Sequence, residues 1–387
     1  MLSRRTAWDL AGNRLSSRLE ALRAAGRPLL DLSEANPTRC GLGWSAAELG
    51  AALADPRVSD YEPTPQGLPA AREAVAAYLA GHGAAVPPER ILLTSSTSEA
   101  YALLFKLLCD PGDEVLVPSP SYPLLDLLAG LESVALRRYP LRYDGEWHLD
   151  RAALAAAVGP RTRAVVAVSP SNPTGWLLDA GDLAFLEALA GERGLALLGD
   201  EVFADTALAP RASAAGARGC LAFHLSGLSK VCGLPQLKAG WIAAAGPEPL
   251  VAPALARLEV VADTWLSVSG PAQLALPALL GRRERFLGPL RERLGQNRRA
   301  LASEAEGAPF DLLRSGGGWS AVLRLGEAVD EEALCLALLE DGVVAQPGFF
   351  YDFERNGHLV ISLLPEPGRF KDGISRIGAR LRYKRAQ

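Results

Sequence analysis

Residues 226–241 read SGLSKVCGLPQLKAGW, and the two lysines in that stretch decide how the rest of the chain is organised. The chain holds five lysines among 40 basic residues, so arginine is its ordinary source of positive charge. Lys230 and Lys238 nevertheless stand eight apart here, among glycines and small residues. One reading is a pair of solvated surface charges, the usual fate of lysine. The other is a site that requires a primary amine. A lysine held among small residues and partly desolvated loses some of its preference for the charged state and becomes a usable nucleophile.

Outward from this stretch, from about residue 90 to 245, short apolar runs alternate with helical segments. RILLTS (90–95), DEVLVPS (113–119), SVALRRYP (133–140), RAVVAVSP (163–170), LALLGDE (195–201) and AGWIAAAG (239–246) have the composition of strands. SEAYALLFKLLCD (98–110) and AGDLAFLEALAGERG (180–194) repeat their apolar residues at helical spacing. Such alternation predicts a mainly parallel sheet covered by helices on both faces. In sheets of that kind, ligand-binding groups gather in the loops beyond the carboxyl ends of the strands. From about 285 to 387 the pattern changes to one long arginine-rich helix and shorter strands, WSAVLRL (319–325) and HLVISLL (358–364). The expected organisation is a large domain over 51–284 and a smaller α+β domain over 285–387, joined by the segment 1–50.

Composition narrows the class of protein. With 387 residues, 49% hydrophobic, and a net charge of −4, the chain reads as soluble and globular. No basic cluster is dense enough to neutralise a nucleic-acid backbone, and no apolar run is long enough to span a bilayer. The first twenty residues lack the apolar core of a signal peptide. Cys40, Cys109, Cys220, Cys232 and Cys335 are scattered without a CxxC pair, which argues against a zinc site or a disulfide framework and predicts a cytoplasmic location.

The polar loops after the strands carry the chemistry. Ser96, Thr97 and Ser98 open a helix, where hydroxyls and free backbone N–H groups suit an anion, although Ser-x-x-Glu ending at Glu99 is equally a capping box. Asn172, in SPSNPTG, lies in a turn set by Pro173 and Gly175. Asp200 and Glu201 end an apolar strand, either as helix caps or as buried carboxylates awaiting a cation. One ligand would use all of these at once: a phosphate, a stacked ring, a phenolic oxygen, a ring nitrogen and an aldehyde for an amine. That ligand is pyridoxal 5′-phosphate.

The ordered set YEPTPQGLPAAREAVAAYL, TSSTSEA, PSPSYP, SNPTG, DEVF and SGLSKVCGLPQLKAGW resembles the class I/II aminotransferases, the fold-type I pyridoxal phosphate enzymes, from about residue 30 onward. The resemblance implies a large domain with a mainly parallel seven-stranded sheet sandwiched by helices. It implies that Lys230 forms the internal aldimine and then moves protons between substrate and cofactor. Asp200 would pair with the pyridine nitrogen, Asn172 with the phenolic oxygen, and Tyr122 would stack on the ring. Ser96, Thr97, Ser98, Ser229 and Lys238 would hold the phosphate. Tyr61 would reach a neighbouring subunit's phosphate, so a homodimer is implied, with an amino donor and a 2-oxo acid as small-molecule partners and no metal.

The pattern breaks in three places. Lys238 stands where the family has an arginine, Phe203 where it has a tyrosine, and Val360, in NGHLVISLLPEP, where an arginine clamps the substrate carboxylate. Arg39, in EANPTRCG, is the expected substitute, with Asn36 beside it and His358 a weaker alternative. Phe349, with Trp319, Phe350 and Tyr351, is expected at the pocket wall or in the core. An aminotransferase is the first expectation; a pyridoxal phosphate lyase, decarboxylase or oxidase is the second. A ligand-sensing regulator would bring a DNA-binding region, and no basic helix-turn-helix precedes residue 50.

Overall fold

The computed structural model describes residues 2–266 and 268–385. In chain order its first strands are β1 (Leu30–Asp31), β2 (Ile91–Thr94), β3 (Glu114–Ser119), β4 (Ala135–Tyr143), β5 (Trp147–Leu149), β6 (Thr162–Val168), β7 (Ala196–Asp200), β8 (Leu221–Gly227) and β9 (Gly240–Ala245). The last eight of these form one sheet in the order β2-β9-β8-β7-β6-β3-β4-β5. Strands β8, β7, β6, β3 and β4 run parallel, while β9 is antiparallel to both its neighbours.

The sheet therefore has eight strands rather than seven. The additional one, β5, pairs antiparallel with the far end of β4 around a turn that holds Gly145 at φ 120°. A second departure is β8, LAFHLSG, which is not among the runs with the composition of strands. Its polar residues His224 and Ser226 are fully buried, so the alternation that marks a half-exposed strand does not describe it.

Burial on both faces explains the apolar runs. Leu198, Ile242 and Ala244 point to one face, where the helices Thr97–Leu108 and Glu248–Thr264 cover them. Trp241 and Ala243 point to the other and meet the helices Pro69–Gly81 and Gly270–Gly281. Each large side chain so buried stabilises the fold by about 1.5–3 kcal/mol.

Toward the C-terminus, β10 (Asp311–Leu312), β11 (Ser320–Arg324), β12 (Val343–Val344), β13 (Gln346–Pro347) and β14 (His358–Ser362) follow the long helix Glu284–Ala305. An antiparallel sheet in the order β10-β11-β14-β13 results. Its core takes in Leu15, Leu22, Leu32 and Leu42 from the N-terminal segment, and β1 pairs parallel with β12. The strand β11 brings Trp319 and Ser320 to the carboxyl-end edge of the large sheet.

Candidate active site

Strands β6, β7 and β8 align Val168, Asp200 and Leu225 in register, so the loops that follow open at one edge of the sheet. Asp200, the last residue of β7, is half-buried. Its Oδ2 accepts from the Tyr101 hydroxyl at 3.0 Å and its Oδ1 from the Val202 amide at 3.3 Å. Burial pushes the Asp200 carboxyl up to about 6, against the pull of those two donors.

Lys230 follows β8 in the short helix Leu228–Val231, whose Leu228 and Val231 are fully buried and anchor it. Gly227 precedes that helix because a Cβ there would stand 2.9 Å from the Ala239 carbonyl oxygen. The amine lies 4.5 Å from the centroid of the Trp319 ring and 5.5 Å from that of Phe203. Burial brings it down to about 8, opposed by Asp200, the one charge acting on it among the described residues.

The expected anion site is built partly as a cap. Ser96 caps the helix Thr97–Leu108 by accepting from the Glu99 amide at 3.1 Å, and Glu99 in turn accepts from the Ser95 amide at 2.5 Å. Thr97 and Ser98 stand half-buried at the first two helical positions. Beneath them Gly240 keeps a close approach of chains open: a Cβ would lie 3.0 Å from the Ser226 carbonyl oxygen and 3.2 Å from Thr94 Oγ1. Asn172, preceding a cis proline, accepts from Ser320 Oγ at 3.2 Å, which leaves its amide nitrogen as the donor. Ser229 is half-buried beside Lys230.

Other expected residues stand further out. Tyr122 is exposed, in the loop after β3. Lys238 is exposed, with φ +52°, and lines a small cavity with Ser95 and Glu99. Tyr61 is 79% exposed and lines a cavity of about 670 Å³ whose walls include neither Lys230 nor Asp200. Asn36 spends its side-chain oxygen capping the turn Pro37–Cys40, and Arg39 points to solvent 3.5 Å from Glu34. Phe349 is exposed, and its ring meets that of Phe350 edge-on. Val360 is sealed in an apolar packet with Leu313, Val322 and Tyr351. His358 stacks on Phe353, and burial lowers its basicity. Two partners escaped the sequence reading: Tyr101, behind Asp200, and Ser320, behind Asn172. Nothing short of the packing of helix on strand and of β11 on the large sheet reveals either.

The family model for class I and II aminotransferases matches residues 32–368. The chain belongs to this family. Among relatives of this aminotransferase, an alanine aminotransferase of Mycobacterium tuberculosis is 28% identical over 74% of the chain and 70% of its own length. A rice protein, nicotianamine aminotransferase 1, is 29% identical over 57% of the chain, and the alignment spans 46% of that relative. Among solved structures, the N-succinyldiaminopimelate aminotransferase of M. tuberculosis superposes with TM-score 0.80 at 26% identity, covering 98% of this chain and 100% of that one. An alanine aminotransferase from Pyrococcus furiosus, 22% identical, shares the fold with TM-score 0.90 over 99% of this chain and 100% of that one.

The family's cofactor is pyridoxal 5′-phosphate, and the side chains present fit it. Asp200 is a desolvated acid with no arginine on it, Lys230 a desolvated amine with no salt bridge among the described residues, and the Gly240 crossing keeps room below a helix start. Among the described residues no group of three or more metal-ligating side chains forms.

Proposed function

We propose that the protein exchanges an amino group between an amino acid or amine donor and a 2-oxo acid, with pyridoxal 5′-phosphate attached covalently at Lys230. The observation that carries this reading is the placement of a desolvated amine, Lys230, just after β8 and 4.5 Å from the Trp319 ring centroid, next to a carboxylate, Asp200, that the Tyr101 hydroxyl holds at the end of the adjoining strand β7. When bound, the cofactor supplies an electron sink and a carrier for the amino group. With the cofactor bound, Lys230 would supply the primary amine that holds the aldehyde carbon, and that amine, once displaced by the donor's own amino group, would carry a proton at the substrate's α-carbon. Asp200, fixed by Tyr101, would pair with the ring nitrogen and favour its protonated form. Asn172 donates to the phenolic oxygen, its amide turned by Ser320. Ser96, Thr97, Ser98, Ser229 and Lys238 hold the phosphate, Tyr122 covers the ring, and Trp319 and Phe203 exclude water from the amine.

The same reading assigns substrate contacts to Asn36, Arg39 and Phe349, places the domain boundaries near residues 50 and 284, and pairs two copies through the face that carries Tyr61. The exposed Tyr61 beside an open cavity supports that pairing. Five free cysteines support a cytoplasmic setting. No helix among the described residues is long and apolar enough to cross a membrane.

Val360 and Phe203 favour one other reading, a lyase, decarboxylase or oxidase using the same cofactor, because the substrate is not anchored by an arginine on β14. Borohydride reduction of the loaded protein followed by peptide mapping should find the cofactor on Lys230. Mixing with donors should then give a lasting absorbance change that a 2-oxo acid reverses. Product release with the original absorbance restored and no oxo acid added would establish the other reading instead.

A further inference from the structure

The indole nitrogen of Trp319 is buried and has no hydrogen-bond partner among the described residues. The residue is 3% exposed, its ring is the nearer of two aromatic faces to the Lys230 amine at 4.5 Å, and it packs edge-on against Phe203 at 5.3 Å. A buried N–H left without an acceptor forgoes the hydrogen bond it would make in water; Trp147 and Trp241 share that deficit, but Trp319 carries it beside the Lys230 amine. Phenylalanine or leucine would fill the same space without that cost. The neighbouring apolar rings, Phe203 and Phe286, offer no acceptor. An acceptor that arrives with a ligand resolves the deficit.

We infer that the Trp319 indole N–H donates a hydrogen bond to the cofactor's phenolic oxygen, sharing that oxygen with Asn172 and supplying the donor that Phe203 lacks. This rests on the pyridoxal phosphate reading of Lys230. Two acceptor oxygens could reach this N–H: the cofactor's phenolic oxygen, and the carboxylate of an amino-acid substrate. The first is present whenever the cofactor is bound. It also meets the Asn172 amide nitrogen left free by Ser320, which neighbours Trp319 in the chain. The charged groups next to Trp319 are Lys230, on which Asp200 acts, and Arg298, which donates to the neighbouring Gly318 carbonyl at 2.7 Å. A donor on the phenolic oxygen withdraws electron density and makes the attached nitrogen less basic.

The test uses the loaded protein without substrate. The colour of the bound cofactor is titrated against pH in the native chain, in Trp319→Phe and in Trp319→Phe with Phe203→Tyr. The midpoint should rise by about one pH unit in the single variant, a tenfold change in the proton equilibrium, and return toward the native value in the double variant. An unchanged midpoint in a single variant that binds the cofactor overturns the inference. Should that variant fail to fold, the native protein still decides: the Trp319 indole proton resonance should move downfield on adding pyridoxal 5′-phosphate alone. A resonance that stays in place, or that moves only when an amino-acid donor is added, overturns the inference, the latter by assigning the N–H to the substrate carboxylate. If the native protein takes up no cofactor, the reading of Lys230 fails first, and the difference is visible as an absent colour.

Discussion

Asp200 and Glu201 are consecutive carboxylates at the end of β7, and the protein treats them in opposite ways. Glu201 is 1% exposed and fully compensated: Arg211 lies 2.5 Å from Oε2, while Ser213 Oγ and the Ala214 amide donate to Oε1 at 2.9 and 2.8 Å. Asp200 is less buried, yet among the described residues it receives only a tyrosine hydroxyl and one long amide contact, and no arginine. A buried acid that the fold needs is neutralised by the fold; one that a ligand needs is left with charge to spare. The same contrast separates Arg211 from Lys230. The first sits within an ion pair, and the second, among the described residues, has aromatic faces and a neighbouring acid but no salt bridge.

If Lys230 belongs to the uncompensated class, its loss removes function and no structure. Lys230→Ala should abolish covalent uptake of the cofactor and lower amino transfer by about 10⁴-fold or more, as expected when nucleophile and proton carrier vanish together. The unloaded protein should keep its melting temperature or gain a little. Loss of the fold in this variant would place Lys230 with the structural residues and break the distinction.

The two carboxylates should then respond with opposite signs. Glu201→Gln strands Arg211, whose side chain is 9% exposed, without a counter-ion, and should destabilise the chain by about 3–5 kcal/mol in urea unfolding. Asp200→Asn relieves an uncompensated burial. It should stabilise the unloaded protein at neutral pH by about 3 kcal/mol, the differential implied by a carboxyl raised to about 6, while reducing amino transfer. Destabilisation by both substitutions would show that Asp200 is as structural as its neighbour.

The pH dependence of the unloaded protein carries the same signature. Between about pH 4 and 6 the folded chain holds a proton on Asp200 that the unfolded chain has released, so stability falls as pH rises through that window. Between about 8 and 10.5 the unfolded chain holds a proton that folded Lys230 has released, so stability there rises with pH. Asp200→Asn should flatten the first slope and Lys230→Ala the second, each measured as the change in urea midpoint.

Much of this was legible in the chain itself. The loops TSSTSEA, SNPTG and GDEVF fall after apolar runs and SGLSK before the last one, and strand–helix alternation alone puts such loops at one edge. What escaped depends on contacts between distant segments. Tyr101 lies on the outgoing helix and meets Asp200 only because β2 and β7 share a sheet. Strand β8 was hidden because burial on both faces permits His224 and Ser226 where alternation predicts solvent. The arginine missing at Val360 was visible, but its consequence was not: the position is buried in an apolar packet with Leu313, Val322 and Tyr351. Nor could the sequence show that Arg39 is drawn to Glu34.

Asn172 occupies the ground between the two classes, since Ser320 satisfies its oxygen and nothing among the described residues satisfies its nitrogen. That half-compensation has a measurable size. Ser320→Ala removes one neutral hydrogen bond of about 0.5–1.5 kcal/mol and frees the amide to turn. Amino transfer should fall by only about threefold to tenfold, with melting temperature nearly unchanged. Asn172→Ala, which removes the donor itself, should cost more than Ser320→Ala, and the double variant no more than Asn172→Ala alone, because Ser320 acts on the ligand only through that amide. Additive losses in the double variant would mean that Ser320 touches the ligand directly, and the graded picture of compensation at this rim would have to be redrawn around it.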